Sequence, residues 1–146
     1  YDPDSKDERM KPTLTPGLSH TTTLTADRDR TIDFMGEQAR VYATPMLVRD
    51  IEIACREWLL QHLDAGEDTV GTRVELDHLA ATLMDMPVEL TLGVAEVKGR
   101  AVTFDISGRD SVEPICRGRH TRFVVDVKVT EGRLAAKAGK AQGARL

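Results

Sequence analysis

The hydrophobic period of this chain changes once, and that change restricts the folds open to it. Leu47, Ile51, Ala54, Cys55 and Trp58 recur at helical spacing as one apolar stripe, with Arg49, Asp50, Arg56 and Glu57 elsewhere on the wheel. Val48, Ile53 and Leu59 widen the stripe, so this helix is expected to be mostly surrounded by protein and to end near Leu63, before Gly66. Past Gly66 the period becomes two. Val74, Leu76 and His78 alternate with Arg73, Glu75 and Asp77, and the same alternation returns in Val88–Val94, Val102–Ile106 and Phe123–Val129. Lys98-Gly99 and Gly108-Arg109-Asp110 mark turns, and the broken alternation at Ala95-Glu96-Val97 predicts a bulge. With a threonine-rich first strand at Ser19–Thr25, the reading is α+β: an antiparallel sheet wrapped around one long central helix.

One helix cannot cover both ends of such a sheet, and an open edge invites pairing. A homodimer, or a higher oligomer built from it, is therefore expected. The domain is read as residues 19–130. Residues 1–18 are read as a flexible N-terminal arm, with Met10 to Leu18 irregular around Pro12, Pro16 and Gly17. Residues 131–146 are read as a flexible basic tail. Ala26–Arg40, between the first strand and the helix, reads as a long loop or short helix of the kind that lids a site.

Composition bears mainly on what the chain does not do. A net charge of -4 argues against wholesale nucleic-acid binding. No apolar run approaches the ~20 residues that span a bilayer, and the polar start shows no signal-peptide pattern. Cys55 and Cys116 are isolated, so a reduced cytoplasmic setting without disulfides is expected. No His, Cys or carboxylate cluster has ligand spacing, so neither a metal nor a cofactor is expected.

Three residues in the central stretch can do chemistry. Thr44 precedes Pro45 at the helix start; its hydroxyl is either an N-cap or a group facing substrate. Glu52 lies between Ile51 and Ile53, and if enclosed it needs a partner or a raised pKa. His78 shares a strand face with Val74 and Leu76 and is either a satisfied structural histidine or a base. Eight residues of helix rise about 12 Å, so Thr44 and Glu52 cannot touch on one straight helix. Either Thr44 folds back on a turn, or the set is completed across a dimer.

A threonine before the helix, a glutamate within it, Gly71 opening the next strand and His78 along it are followed by Gly118-Arg119-His120-Thr121-Arg122. This order resembles the fluoroacetyl-CoA thioesterase-like family of hot-dog proteins, over roughly Tyr42 to Val129. The resemblance implies that Thr44, Glu52 and His78 are catalytic. It also implies that Gly71 and Arg122 lie near the coenzyme A thioester and its pantetheine or phosphate groups. The segment Thr31–Arg40 holds a single aromatic, Phe34, fewer than the apolar lid of the fluoroacetyl-directed pattern. The expected activity is therefore hydrolysis of a small or short-chain acyl-CoA, with coenzyme A as part of the substrate. The alternative is a non-catalytic acyl-CoA-binding module on the same fold.

Overall fold

Pro45 stands in the first helical turn, where its missing N–H costs nothing, and α1 (Thr44–Leu60) runs on from it. In the computed structural model, which describes residues 10–144, α1 lies against a five-stranded antiparallel sheet. The strands are β1 (Ser19–Thr25), β4 (Glu67–His78), β5 (Pro87–Lys98), β6 (Ala101–Asp110) and β7 (Pro114–Asp126), in the order β1-β5-β6-β7-β4. Two short strands, β2 (Thr31–Ile32) and β3 (Val41–Tyr42), pair with each other ahead of the helix. This is the expected hot-dog arrangement. Among the described residues, no helix is long and apolar enough to cross a membrane.

The period-two residues make the core. Val88, Leu90, Leu92, Val94, Val102, Phe104 and Ile106 are buried under the helical stripe of Leu47, Ile51, Cys55, Trp58 and Leu59. Trp58 meets Phe104 edge-on, with centroids 5.8 Å apart. The expected bulge falls between Val94 and Glu96, and a second lies between Gly71 and Arg73. Gly118 admits close strand pairing, because a Cβ there would sit 2.0 Å from the Glu75 carbonyl oxygen.

Four expectations change. The helix is not enclosed: Thr44, Pro45, Arg49, Ile53, Arg56 and Glu57 are exposed, since the sheet covers only one side of it. Asp50 leaves the solvated side of the wheel and is buried with the stripe. The arm at 10–18 is anchored rather than loose, with Leu14 buried and Lys11 N–H donating to the His62 carbonyl at 3.1 Å. The expectation for residues 1–9 lies outside the described residues. Finally, β7 stops at Asp126, and α2 (Val127–Gln142) takes in the expected strand end and most of the basic tail. The Asp126 carboxylate caps it by accepting from Val129 N–H at 2.9 Å, and the alanines favour helix. No side chain of α2 is buried.

Candidate active site

The N-cap of α1 is Ala43, not Thr44, so the Thr44 hydroxyl is free for another partner. That partner is His78 at the end of β4: Thr44 Oγ1 and His78 Nδ1 are 2.7 Å apart. The other ring nitrogen, Nε2, is buried without a hydrogen-bond partner among the described residues. A buried polar atom left without any partner costs about 1–3 kcal/mol, so this nitrogen is available to accept a hydrogen bond. Burial also pushes the His78 pKa down, favouring the neutral ring that can accept a proton. The pair opens on a pocket of about 320 Å³ whose other walls include Ile32, Val41, Tyr42, Leu79 and Ala80. A larger hollow of about 580 Å³ on the sheet's far side is lined by Glu75, Asp77, Asp105, Arg117 and Arg119 and contains no candidate group.

Glu52 stands elsewhere. It is on α1 two turns beyond Thr44, about 12 Å along the axis. Its side chain is 42% exposed, so it is neither buried nor without a partner. Arg122 Nη1 lies 3.6 Å from its Oε1, an ion pair rather than a hydrogen bond. Arg122 is itself buried, not a solvated strand end. Its Nε donates to Thr69 Oγ1 at 2.7 Å and its Nη2 to the Thr69 carbonyl at 3.1 Å. His120 completes the support. Its Nδ1–H donates to the Arg73 carbonyl at 2.8 Å, leaving Nε2 to face Arg122 Nη1 at 3.2 Å. Burial lowers the His120 pKa and keeps that acceptor available.

Gly71 has a steric reason in this cluster. A Cβ there would lie 2.4 Å from Glu52 Oε1, 3.2 Å from His120 and 3.3 Å from Arg122. The absent side chain is the space the Glu52 carboxylate occupies. The structure thus places Thr44 with His78, and Glu52 with Gly71 and Arg122, as two separate groups in one chain.

The cysteines offer no competing nucleophile. Both are buried, and burial pushes Cys55 up to about 12 and Cys116 up to about 11. No group of three His, Cys, Asp or Glu among the described residues is placed to hold a metal. Two residues escaped the sequence reading: Asp50, whose charge suggested solvent, and Tyr42, 1% exposed beside His78. The signal for Asp50 was its place three residues after Leu47 and one before Ile51, inside the apolar stripe.

The sequence profile described as "Fluoroacetyl-CoA-specific thioesterase" matches residues 26–128, most of the chain and all the groups above. The chain belongs to this thioesterase family. A curated relative, the fluoroacetyl-CoA thioesterase of Streptantibioticus cattleyicolor, is 31% identical over 101 residues, covering 69% of this chain and 73% of the relative. A crystal structure of a point mutant of the fluoroacetyl-CoA-specific thioesterase superposes with a TM-score of 0.78 at 26% identity, covering 85% of this chain and 97% of that one. A Thermus thermophilus protein, described as a thioesterase superfamily member, gives a TM-score of 0.81. It covers 89% of this chain and 97% of that one, and at 23% identity it speaks for the fold alone. The chain is accordingly a thioester hydrolase of the hot-dog class.

Proposed function

We propose that the enzyme hydrolyses a small or short-chain acyl-CoA thioester to the free acid and coenzyme A, without a cofactor. The observation that carries this reading is the Thr44–His78 contact at 2.7 Å with His78 Nε2 buried and unpartnered beside the pocket. In the reaction, His78 Nε2 takes a proton from water as the water oxygen adds to the thioester carbonyl. The tetrahedral adduct expels the thiolate by breaking the C–S bond, and the imidazolium returns the proton to sulfur. Thr44 holds the imidazole at Nδ1 and presents its exposed hydroxyl to the carbonyl end of the substrate. The modest pocket of about 320 Å³, with Val41, Ala80 and Ala81 in its walls, suits a small acyl group. A relative solved with fluoroacetate and CoA, 27% identical to this chain, is in keeping with that size.

Glu52 joins the site through a second copy. β4 is an edge strand, and Val74 on it and Ile53 on α1 are exposed apolar residues. Antiparallel pairing of β4 with β4 of another copy, about an axis near Val74 and Glu75, sets Gly71 opposite His78 of the second chain. That brings the Glu52 end of one chain to the Thr44–His78 end of the other. Glu52 then orients the attacking water from across the interface. Gly71 and Arg122 serve by making room for its carboxylate and holding it, since Arg122 is buried and braced by Thr69 and His120 inside the chain.

A thiol-release assay over acyl-CoAs of increasing chain length tests the activity; the rate should be highest for the shortest acyl groups. No release from any of them would overturn the reading in favour of binding alone. Mixing inactive Thr44→Ala and Glu52→Ala chains tests the shared site. Random re-pairing should restore about a quarter of the wild-type rate, because half the dimers are mixed and each keeps one intact site. No recovery in demonstrably mixed dimers would sink it.

A further inference from the structure

The thioester chemistry makes no use of Asp50, yet Asp50 is the most costly side chain on α1 to bury. Its carboxylate is 4% exposed and lies on the stripe, where an apolar residue would pack at no electrostatic penalty. It is held from two sides. The Tyr42 hydroxyl donates to Oδ2 in a short hydrogen bond, and Arg30 Nε donates to the same oxygen at 2.9 Å. Both partners lie outside α1. Arg30 belongs to the turn Arg28–Arg30, capped by Asp27, whose carboxylate also takes Arg30 Nη1 at 2.8 Å. The backbone repeats the link, because Ala43 N–H donates to the Arg30 carbonyl at 2.9 Å and Thr31 pairs with Tyr42. Tyr42 leads to the site. Its ring stands edge-on to the His78 imidazole, with centroids 6.4 Å apart and planes at 82°.

Tyr42 is therefore fixed at three points: its backbone in β3, its hydroxyl on Asp50 and its ring against His78. Among the described residues the imidazole has one hydrogen bond, its Nδ1–H donating to Thr44 Oγ1 in the tautomer that leaves Nε2 to accept a proton, and one bond alone leaves it free to rock about that contact. The Tyr42 edge removes this freedom only while the phenol is itself held, and Asp50 holds it.

We propose that Asp50 and Tyr42 are positioning residues for the hydrolysis. Asp50 sets the Tyr42 ring, the Tyr42 ring sets the His78 imidazole, and the Arg30 arm pins the root of the 26–40 segment to the same carboxylate. This rests on the assignment of His78 as the proton-moving group.

Two conservative variants test it, Tyr42→Phe and Asp50→Asn, each with a steady-state assay and with NMR of the 15N-labelled His78 ring in the substrate-free protein. Tyr42→Phe should lower kcat by about 10-fold to 100-fold with KM nearly unchanged, as expected when a catalytic group is slightly misplaced. Its His78 ring signals should broaden or split into two tautomers. Asp50→Asn should act in the same direction, and the double variant should be no worse than the worse single one, because both lie on one path. Unchanged kcat and unchanged ring signals in folded Tyr42→Phe would overturn the proposal and leave the network as packing. Tyr42→Phe keeps the Asp50–Arg30 pair and the ring volume, so it decides the matter even where Asp50→Asn fails to fold. Absence of thioesterase activity in the wild type would defeat the functional reading, while the ring spectra would still decide whether Tyr42 holds His78.

Discussion

The Thr44–His78 pair and the Glu52–Arg122–His120 group are built from the same two elements, α1 and β4, and solve opposite problems. The first leaves a buried nitrogen unpaired among the described residues, on a histidine that lines a pocket together with Thr44. The second rests on a braced support: the guanidinium behind Glu52 is bonded on three sides, and the glycine beside it leaves room for the carboxylate. Reactivity and restraint are thus separated along one helix. In the proposed mechanism the imidazole moves the proton, while the carboxylate beside Arg122 is the group offered to a second copy.

The sharpest way to break this contrast is to delete each centre. His78→Ala should lower kcat/KM by about 10²-fold to 10⁴-fold, the usual reach of a general base. Glu52→Ala should fall in the same range if it belongs to the same site. A wild-type rate in either variant, measured by thiol release, removes that group from the chemistry. Next comes Gly71→Ala. The added methyl takes the space of Glu52 Oε1 and pushes the carboxylate off its guanidinium, so kcat should fall by about 10²-fold with thermal stability little altered. An unaltered kcat would show that the placement of Glu52 does not matter.

A smaller effect is expected from pH. Burial lowers the His78 pKa below its ordinary 6.5, so the folded protein binds fewer protons there than the unfolded chain. The neutral ring, the form the proposed mechanism needs, dominates above pH 6.5. As pH falls through the depressed folded value, kcat/KM should drop tenfold per unit. Stability moves the same way: the contribution of the neutral ring is whole above the unfolded value and is lost on acidification. His120, also depressed by burial, adds to this loss, because its protonated ring could no longer accept from Arg122. A kcat/KM that rises on acidification from pH 7 to 5 would reverse the assignment of His78 as the base.

Much of this architecture is written in the chain's periodicity. The helical stripe and the alternating strands are local signals, and α1, β5 and β6 follow them closely. The site was legible only in part. Thr44, Glu52, Gly71, His78 and Arg122 stand out by order, but what each touches is set by strands far apart in sequence. That Gly71 makes room for a carboxylate depends on β4 and β7 pairing next to α1, which no local pattern contains. Asp50 was missed because a charge on a helix ordinarily faces water, and only Tyr42 and Arg30 together make its burial tolerable. The end of β7 was misread because Val127 and Val129 continue the alternation, while the Asp126 cap turns the chain into a helix.

The smallest effect separates the two readings of Thr44. A threonine that capped α1 would cost about 1 kcal/mol on truncation to alanine. Here Ala43 is the cap and the Thr44 hydroxyl meets His78 instead of an α1 amide, at the protein surface. Thr44→Ala should therefore change unfolding free energy by less than about 0.5 kcal/mol, read from urea denaturation midpoints at constant m-value. Activity should nevertheless fall well beyond that, because the imidazole loses the one hydrogen bond that orients it. Thr44→Ser, which keeps the hydroxyl, should retain most of the rate. If stability fell by a full cap's worth while the rate held, Thr44 would belong to the helix and not to the site, and the contrast between the two ends of α1 would lose its reactive half.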